Sequence, residues 1–184
     1  LRRQRQMCIR DRDPSLSQVV APWQAEAAMS LGRWDKIPQS DISDSRVALA
    51  ATVAALRSVS ESPELFSEKA KSAKLAAMAG LGAASMESYG RAYPFVARLH
   101  AVREVEHARE YIKGGDLNEL ERRWDSRRKA GAASSVPSWL SVRRRCLEVC
   151  GAPLKAGAAC MEAATLARKA GRLTVARGDL IDAS

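Results

Sequence analysis

The sequence predicts an all-α protein, built as an antiparallel helical-repeat solenoid of about eight helices of the TPR or HEAT kind. Hydrophobic residues make up 46% of the 184 residues but aromatic residues only 5%. Much of the apolar content is alanine, which has the highest helix propensity. From Pro22 onward, apolar residues recur at helical spacing. Glycine or proline interrupts this spacing at short intervals, which is typical of helices joined by tight turns.

The longest helical pattern runs from Ala84 to Ile112, and the other predicted helices lie around it in sequence. Its apolar positions are Ala92, Phe95, Val96, Leu99, Val102, Val105, Ala108 and Ile112. Charged residues, Glu104 among them, fall mainly between these positions, and we expect them to form a solvated face. Pro94 lies inside the pattern and is expected to kink the helix or split it in two.

Three helices are predicted before this central one. They span Pro22–Gly32, Val47–Val59, and Pro63 to the Gly80–Gly82 segment. The first places Trp23, Ala27 and Leu31 on one face and ends at a glycine, the residue that most often terminates helices. The third begins at a proline preceded by the N-cap candidate Ser62. The glycines at its end are expected to separate it from the central helix.

Four helices are predicted after the central one. They span Asp116–Ala130, Pro137–Gly151, and two segments that begin at Pro153 and flank Gly171. A loop is expected at 131–135. The residues predicted to lie inward are Leu117, Leu120, Trp124, Trp139, Leu140, Val142, Cys146, Leu147, Cys150, Ala159, Met161, Ala164, Leu166, Ala167, Leu173, Val175, Ala176 and Leu180.

The formal net charge is +9, which raises the question of a nucleic-acid partner. However, basic residues alternate with acidic ones at helical spacing, as in the pairs Glu106–Arg109 and Glu119–Arg123. This pattern is typical of a surface helix with many salt bridges. No membrane span is predicted, since the longest apolar run, Val47–Leu56, is too short.

No catalytic, cofactor-binding or metal-binding residue is predicted. His100 and His107 share a helix face with Glu104, but two turns separate the histidines by about 10 Å, too far for a shared metal ion. Cys146 and Cys150 lie one turn apart without a matching second pair of ligands, so we expect buried thiols. The scattered cysteines indicate a reducing compartment.

Several phrases in the sequence carry a family resemblance. They are Gly32–Asp35, Ser88–Tyr89, Arg91–Tyr93, Val96–His100, Glu104–His107, the order Leu120, Trp124, Arg128 followed by Leu140–Arg144, and Ala167–Gly171. Together they resemble the FAT domain, the helical-repeat region that precedes the kinase domain in phosphatidylinositol-3-kinase-related kinases. The runs Arg98–His100 and Glu104–His107 are most similar to the ATR branch. Ala101–Arg103 departs from it, because bulkier apolar residues are expected there.

This resemblance implies a non-catalytic scaffold segment of a serine/threonine kinase in DNA-damage and replication-stress signalling in the nucleus. Its partners would be proteins and the parent's own kinase domain, with no membrane contact and no direct nucleic-acid contact. ATP and Mg²⁺ would bind only in a kinase domain outside this segment. Two alternatives remain open: a free-standing TPR-like adaptor, which needs polar capping helices at both ends, and a basic nucleic-acid-binding protein, which needs a continuous basic stripe.

Residues 1–14 differ from the rest of the chain. They contain five arginines without apolar periodicity, and Asp11 and Asp13 argue against a transit peptide. The string QRQMCIRDR resembles the translated read-through of a sequencing-library adapter. We therefore expect a non-native or disordered leader at 1–14 and a partial FAT domain at 15–184, with apolar surface exposed at both ends.

Overall fold

The structure, a computed structural model, describes residues 14–38, 43–130 and 136–183, and these ranges contain helices and no β-strand. The helices are α1 (Pro14–Ser30), α2 (Ser45–Leu56), α3 (Pro63–Ser85), α4 (Tyr89–Ile112), α5 (Leu117–Ala130), α6 (Val136–Val149), α7 (Pro153–Lys169) and α8 (Leu173–Ala183). A short 3-10 helix, Trp34–Lys36, follows α1. The predicted leader, apart from Pro14, and the predicted loop at 131–135 lie outside the described residues. The predicted fold class is confirmed.

Helices α3 and α4 form an antiparallel pair. Arg109, near the end of α4, donates to Ser67 near the start of α3, with 3.1 Å between Nη1 and Oγ. Lys74 and Glu106 form an ion pair at 2.5 Å further along. Residue numbers in these contacts rise along α3 and fall along α4. An antiparallel repeat pair requires this order.

Helix α4 lies at the centre and contacts α2, α3, α5 and α6. It runs parallel to α6, because Trp139 Nε1 donates to the Ala97 carbonyl at 3.1 Å and Cys150 Sγ donates to the Ala108 carbonyl at 3.9 Å. Parallel packing of alternate helices is the expected result of stacking antiparallel pairs. Helix α6 also contacts α1 and α2.

The core is rich in small residues. Its buried members include Ala25, Ala50, Val53, Leu56, Phe66, Ala70, Ala73, Val102, Val105, Ala108, Trp139 and Cys146. Alanine at helix contacts lets the axes approach closely, and the few large side chains fill the remaining space. In the described ranges no helix is both long and apolar enough to cross a membrane.

The boundaries of α3 and α4 differ from the prediction. Helix α4 begins at Tyr89 rather than Ala84, because the Ser88 hydroxyl accepts from the Arg91 backbone N–H at 3.3 Å and caps it there. The helix continues through Pro94, so of the two predicted effects of this proline, a kink or a split, the split is wrong. A single proline removes one backbone hydrogen bond, and the packing of the neighbouring turns keeps the helix continuous.

The two glycines of α3 do not end this helix, which continues to Ser85. Neither Gly80 nor Gly82 has a positive φ, so neither forms a helix-terminating turn. At Gly80, an added Cβ would overlap the Phe95 ring of α4. Gly80 therefore serves the close approach of two helices rather than a chain break.

Helix α1 begins at Pro14, eight residues before the predicted start, and contains Pro22 within it. Trp23 and Leu31 lie on the predicted common face, but this face is exposed, at 64% and 68%. The buried face consists of Ala21, Ala25, Ala28 and Met29. The small side chains pack inward because they allow α1 to approach α2 and α6.

Small side chains also pack inward in α7 and α8, and the prediction for these two helices was partly wrong for this reason. Met161, Leu173, Val175 and Leu180 were predicted to lie inward and are exposed. The buried residues of these helices are Ala156, Cys160, Ala164, Ala167 and Ala176. As expected, α1 and α8, the first and last described helices, both expose apolar side chains.

Candidate functional site

Three consecutive arginines of α6, Arg143, Arg144 and Arg145, form a polar cluster that contacts several helices, and we call them the arginine junction. Successive residues of an α-helix point about 100° apart, so the three side chains leave α6 in different directions. Arg143 faces α4 and α5, Arg144 faces α8, and Arg145 faces the end of α1. One turn of α6 therefore joins four other helices.

Arg143 forms a buried ion pair with Glu104 of α4. Its Nε donates to Oε2 at 2.9 Å and its Nη2 donates to Oε1 at 2.7 Å. Nη2 also donates to the Trp124 carbonyl, and the guanidinium lies 5.5 Å from the centroid of the Trp124 ring. Glu104 is 0% exposed. The planar guanidinium matches the carboxylate in the two-bond geometry that gives charge-assisted pairs their strength.

Burial has a large effect on this pair. It raises the pKa of Glu104 above the ordinary value, and the bonds and charge of Arg143 oppose that rise. Removal of one partner from a buried pair leaves an uncompensated charge and destabilises a protein by about 3–5 kcal/mol. The pair therefore favours one arrangement of α4, α5 and α6 over alternatives that would leave either charge alone.

Arg145 caps the end of α1. Its Nε donates to the Met29 carbonyl at 2.9 Å, and its Nη2 donates to the Ser30 carbonyl. These carbonyls lie in the last turn of α1, where backbone acceptors have no partner within the helix. The cation also faces the negative end of the helix dipole. Gly32 has a φ of +66°, and an added Cβ there would lie 3.1 Å from Arg145 Nη1.

Arg144 joins α6 to the last described helix. Its Nη1 donates to Asp182 of α8 at 2.7 Å, and its Nε donates to Glu148 at 3.0 Å. Burial alone would lower the pKa of Arg144, but these bonds outweigh burial and raise it. The arginine junction thus extends from α1 to α8.

A cleft of about 310 Å³ lies beside Arg144, between α6, α7 and α8 and the end of α1. Its lining is mainly apolar and includes Leu31, Leu140, Ala163 and Val175. The hydroxyls of Ser30 and Ser141, which also line it, lie 3.4 Å apart. This cleft is a concave surface that can receive side chains of another molecule.

The two histidines do not form a site together. His107 is buried and its Nδ1 has no hydrogen-bond partner among the described residues, whereas His100 is exposed and packs edge-on against Trp139. Burial and nearby arginines lower the pKa of both. Within the described ranges, no group of three or more His, Cys, Asp or Glu residues is placed to hold a metal ion.

The predicted burial of the α6 cysteines is confirmed for Cys146, and Cys150 is half-buried. Burial raises the pKa of Cys150 to about 11 and that of Cys146 well above its ordinary value. Both are therefore protonated at neutral pH, and a thiol in this state is a poor nucleophile and metal ligand.

The prediction from the sequence missed Glu104 and the arginine junction. Glu104 was assigned to the solvated face, yet it lies one turn from Ala101 and from Ala108, both of which are buried. Glu104 lies between two small apolar residues on the same face of the helix. This spacing was the signal in the sequence that could have indicated its burial. The expected pair Glu119–Arg123 is present at 2.7 Å. Glu106 pairs instead with Lys74 and Arg103.

The fold and the arginine junction define a helical-repeat protein in which buried charges join helices. The family model of the FAT domain matches residues 21–183. The serine/threonine-protein kinase ATR of Arabidopsis thaliana is 33% identical over 102 residues, which cover 48% of this chain and 4% of that relative. No solved structure gives a significant match.

The chain belongs to the FAT domain family. The resemblance to the FAT region of an ATR-like phosphatidylinositol-3-kinase-related kinase, seen first in the sequence phrases, is confirmed. The chain spans only 4% of the length of its Arabidopsis relative.

Proposed function

We propose that this chain is a non-catalytic scaffold segment of an ATR-like serine/threonine protein kinase. The observation that carries the proposal is the arginine junction, which joins α6 to α1, α4, α5 and α8 through buried or half-buried charges. A helical array fixed in this way holds its outer surfaces in constant relative positions. That is the property a scaffold needs to support a catalytic domain and receive partners.

In this proposal the parent protein phosphorylates serine and threonine, using ATP and Mg²⁺ bound in a kinase domain outside the segment. The parent acts in the nucleus, in DNA-damage and replication-stress signalling. The segment contacts that kinase domain and other proteins, without direct contact with nucleic acid or membrane. The match to the FAT family and the similarity to the Arabidopsis ATR kinase support this assignment.

Two observations favour this proposal over the alternatives. The longest run of arginine in the sequence, Arg143–Arg145, is engaged within the protein and does not offer a basic stripe to nucleic acid. Helix α1 carries an exposed apolar stripe of Leu16, Val19, Val20 and Trp23. An exposed apolar patch of this kind is typical of surfaces that contact other proteins, as the proposed scaffold role requires.

The first test is to amplify the source transcript outward from the codon for Ser184. A reading frame that continues into a kinase domain, with its Mg²⁺-binding and catalytic aspartates, supports the proposal. A stop within a few dozen codons would reject it in favour of the adaptor.

The second test uses the full-length kinase. Arg143→Leu should lower phosphorylation of a serine peptide by ATP and Mg²⁺, although no catalytic group is altered, because the scaffold loses its arrangement. Arg122→Leu is the matched control, since Arg122 is exposed and its ion pair, within the described ranges, is with Glu119 of its own helix. Equal activity of the two variants, with limited proteolysis showing that Arg143→Leu has loosened the segment, would contradict the scaffold role.

A further inference from the structure

We propose that the cleft between α6, α7 and α8 is the docking site for one amphipathic helix of a protein partner. The partner helix carries an apolar side chain between an acidic residue and a basic residue placed two turns apart. This inference rests on the proposed scaffold role and names a surface through which the scaffold binds a partner.

The apolar part of the cleft suits an inserted aliphatic side chain. Leu140 and Ala163 form part of the lining, and Leu31 and Val175 lie at its edges with much of their surface in water. The volume of about 310 Å³ lies at the lower end of the range for binding pockets. It therefore matches a few side chains of a helix better than a whole helix, which would lie across the opening.

Gly178 forms part of the cleft wall, although the fold does not require glycine there. It lies in the interior of α8 with no positive φ, and an added Cβ would meet no atom within 4 Å. Glycine in a helix interior lowers helix stability relative to alanine. Residues that lower stability without a structural reason often serve function. Here the missing side chain keeps the cleft open.

Two side chains of opposite charge, without an ion pair among the described residues, lie in the cleft wall along α8, where the paired Asp182 and Arg144 also line the cleft. Arg172 lies at the start of the helix and Asp179 two turns later, a separation of about 10 Å. In the described part of the chain neither side chain forms an ion pair, whereas Asp182 is paired with Arg144. Burial raises the pKa of Asp179 and the charge of Asp182 adds to the rise, whereas the charge of Arg144 opposes it.

These charges determine the polarity of the partner. The helix dipole of α8 adds positive potential at the Arg172 end and negative potential at the opposite end. An acidic side chain is therefore favoured near Arg172 and a basic one near Asp179. On a helix, residues seven positions apart are also separated by about 10 Å on the same face. For a partner helix that runs in the same direction as α8, the sequence is thus acidic at i, apolar at i+4 and basic at i+7.

The probe for this site is a fluorescent alanine-based helical peptide with Glu, Leu and Lys at these positions. Titration with the 184-residue chain should give saturable anisotropy, and replacement of the peptide leucine by alanine should weaken binding at least tenfold. Absence of saturable binding at millimolar protein would overturn the proposal.

Gly178→Leu gives the decisive variant, because an added Cβ at this position meets no atom within 4 Å and the rest of the leucine side chain would occupy cleft volume. It should raise the melting temperature and weaken peptide binding at least tenfold. Gly82→Leu is the matched control: Gly82 also lies inside a helix with no atom within 4 Å of an added Cβ, but far from the cleft in sequence, on α3. This control should also raise the melting temperature and leave binding unchanged. Equal binding by the two variants would overturn the proposal.

Asp179→Asn tests the polarity. It should weaken binding of the Glu–Leu–Lys peptide severalfold but leave a Glu–Leu–Gln peptide unaffected, and equal effects on the two would contradict the proposed orientation. These assays measure binding by the chain alone, whereas the scaffold role is tested by the activity of the full-length kinase. The two proposals can therefore fail separately.

Discussion

Glu104 of α4 and Arg143 of α6 lie 39 positions apart in sequence and form a two-bond ion pair in the protein interior. Glu104 is fully buried and Arg143 nearly so, so water does little to stabilise either charge. Each side chain is therefore the main counter-ion of the other. A pair in this setting contributes more to the uniqueness of the helix arrangement than to the total stability.

Glu104→Leu is expected to destabilise the chain by about 3–5 kcal/mol, since Arg143 then loses its buried counter-ion and keeps a longer contact, 3.6 Å, with the exposed Asp125. The double variant Glu104→Leu/Arg143→Leu should lose much less than the sum of the two single variants. The measurement is urea unfolding followed by circular dichroism at pH 7. Glu119→Leu is the control, because its pair with Arg123 is exposed and should matter little. Strict additivity of the two single changes would contradict the pairing.

The two glycines of α3 should respond in opposite ways to alanine. Gly80→Ala is expected to destabilise by about 1–3 kcal/mol, because the new Cβ overlaps the Phe95 ring and α3 and α4 must separate. Gly82→Ala should stabilise by about 0.5–1 kcal/mol, because its Cβ meets no atom and alanine favours helix. Thermal unfolding of both variants checks this. Changes of the same sign would be evidence against the close approach at Gly80.

Much of the fold could be predicted from the sequence because helix periodicity and turn residues act locally. Prolines and glycines gave the order and number of the helices, and Gly114, Gly151 and Gly171 indeed occupy turns with positive φ. The predicted end of α3 was wrong because a glycine inside a helix can also allow a close contact with a neighbouring helix. Gly80 is required because it contacts Phe95, which lies 15 positions away in sequence. A local sequence pattern cannot predict that contact.

The site was less predictable, because its chemistry depends on which helices meet. Arg143 and Arg144 are neighbours in sequence, yet the first is bound by α4 and α5 and the second by α8. The prediction of which faces of α1 and α8 are buried was wrong for a related reason. In an alanine-rich protein the closest packing is through the smallest side chains, so larger apolar residues such as Trp23 and Leu180 remain exposed.

Stability should fall as the pH is lowered from 7.5 to 5.5, and His107 should contribute to this fall. Burial, with Arg103 and Arg127 nearby, lowers the pKa of His107 in the folded protein. The unfolded chain, with an ordinary histidine pKa of about 6.5, then binds more protons than the folded chain, so acid favours unfolding. The stabilisation is complete above this value and is lost as the pH decreases towards the folded pKa.

The variant for this test is His107→Leu, which should show a flatter dependence of the urea midpoint on pH than the unaltered chain. His100→Gln is the control, since His100 is exposed and should contribute less. Parallel pH profiles for His107→Leu and the unaltered chain would exclude His107 as the source.

Arg145 and Arg144 should control the stability of different helices, although they are adjacent. Arg145→Met removes the side-chain donors to the Met29 and Ser30 carbonyls, so the last turn of α1 keeps the backbone bond from Gly32 N–H to the Met29 carbonyl but loses the bonds from the guanidinium. The expected cost is about 1.5–3 kcal/mol, the range for hydrogen bonds to charged groups. Methionine keeps most of the apolar stem, so the loss reports on the guanidinium. Hydrogen exchange should then accelerate in α1.

Arg144→Met provides the crossed control, because it breaks the bond to Asp182 and should accelerate exchange in α8 while α1 remains protected. If both variants loosened the same helix, or if both loosened the whole chain equally, the arginine junction would not divide its contacts as described. Separate responses from adjacent residues would mean that α6 holds α1 and α8 through independent contacts. A partner bound in the cleft beside α8 would then leave the hydrogen bonds between Arg145 and the end of α1 unchanged.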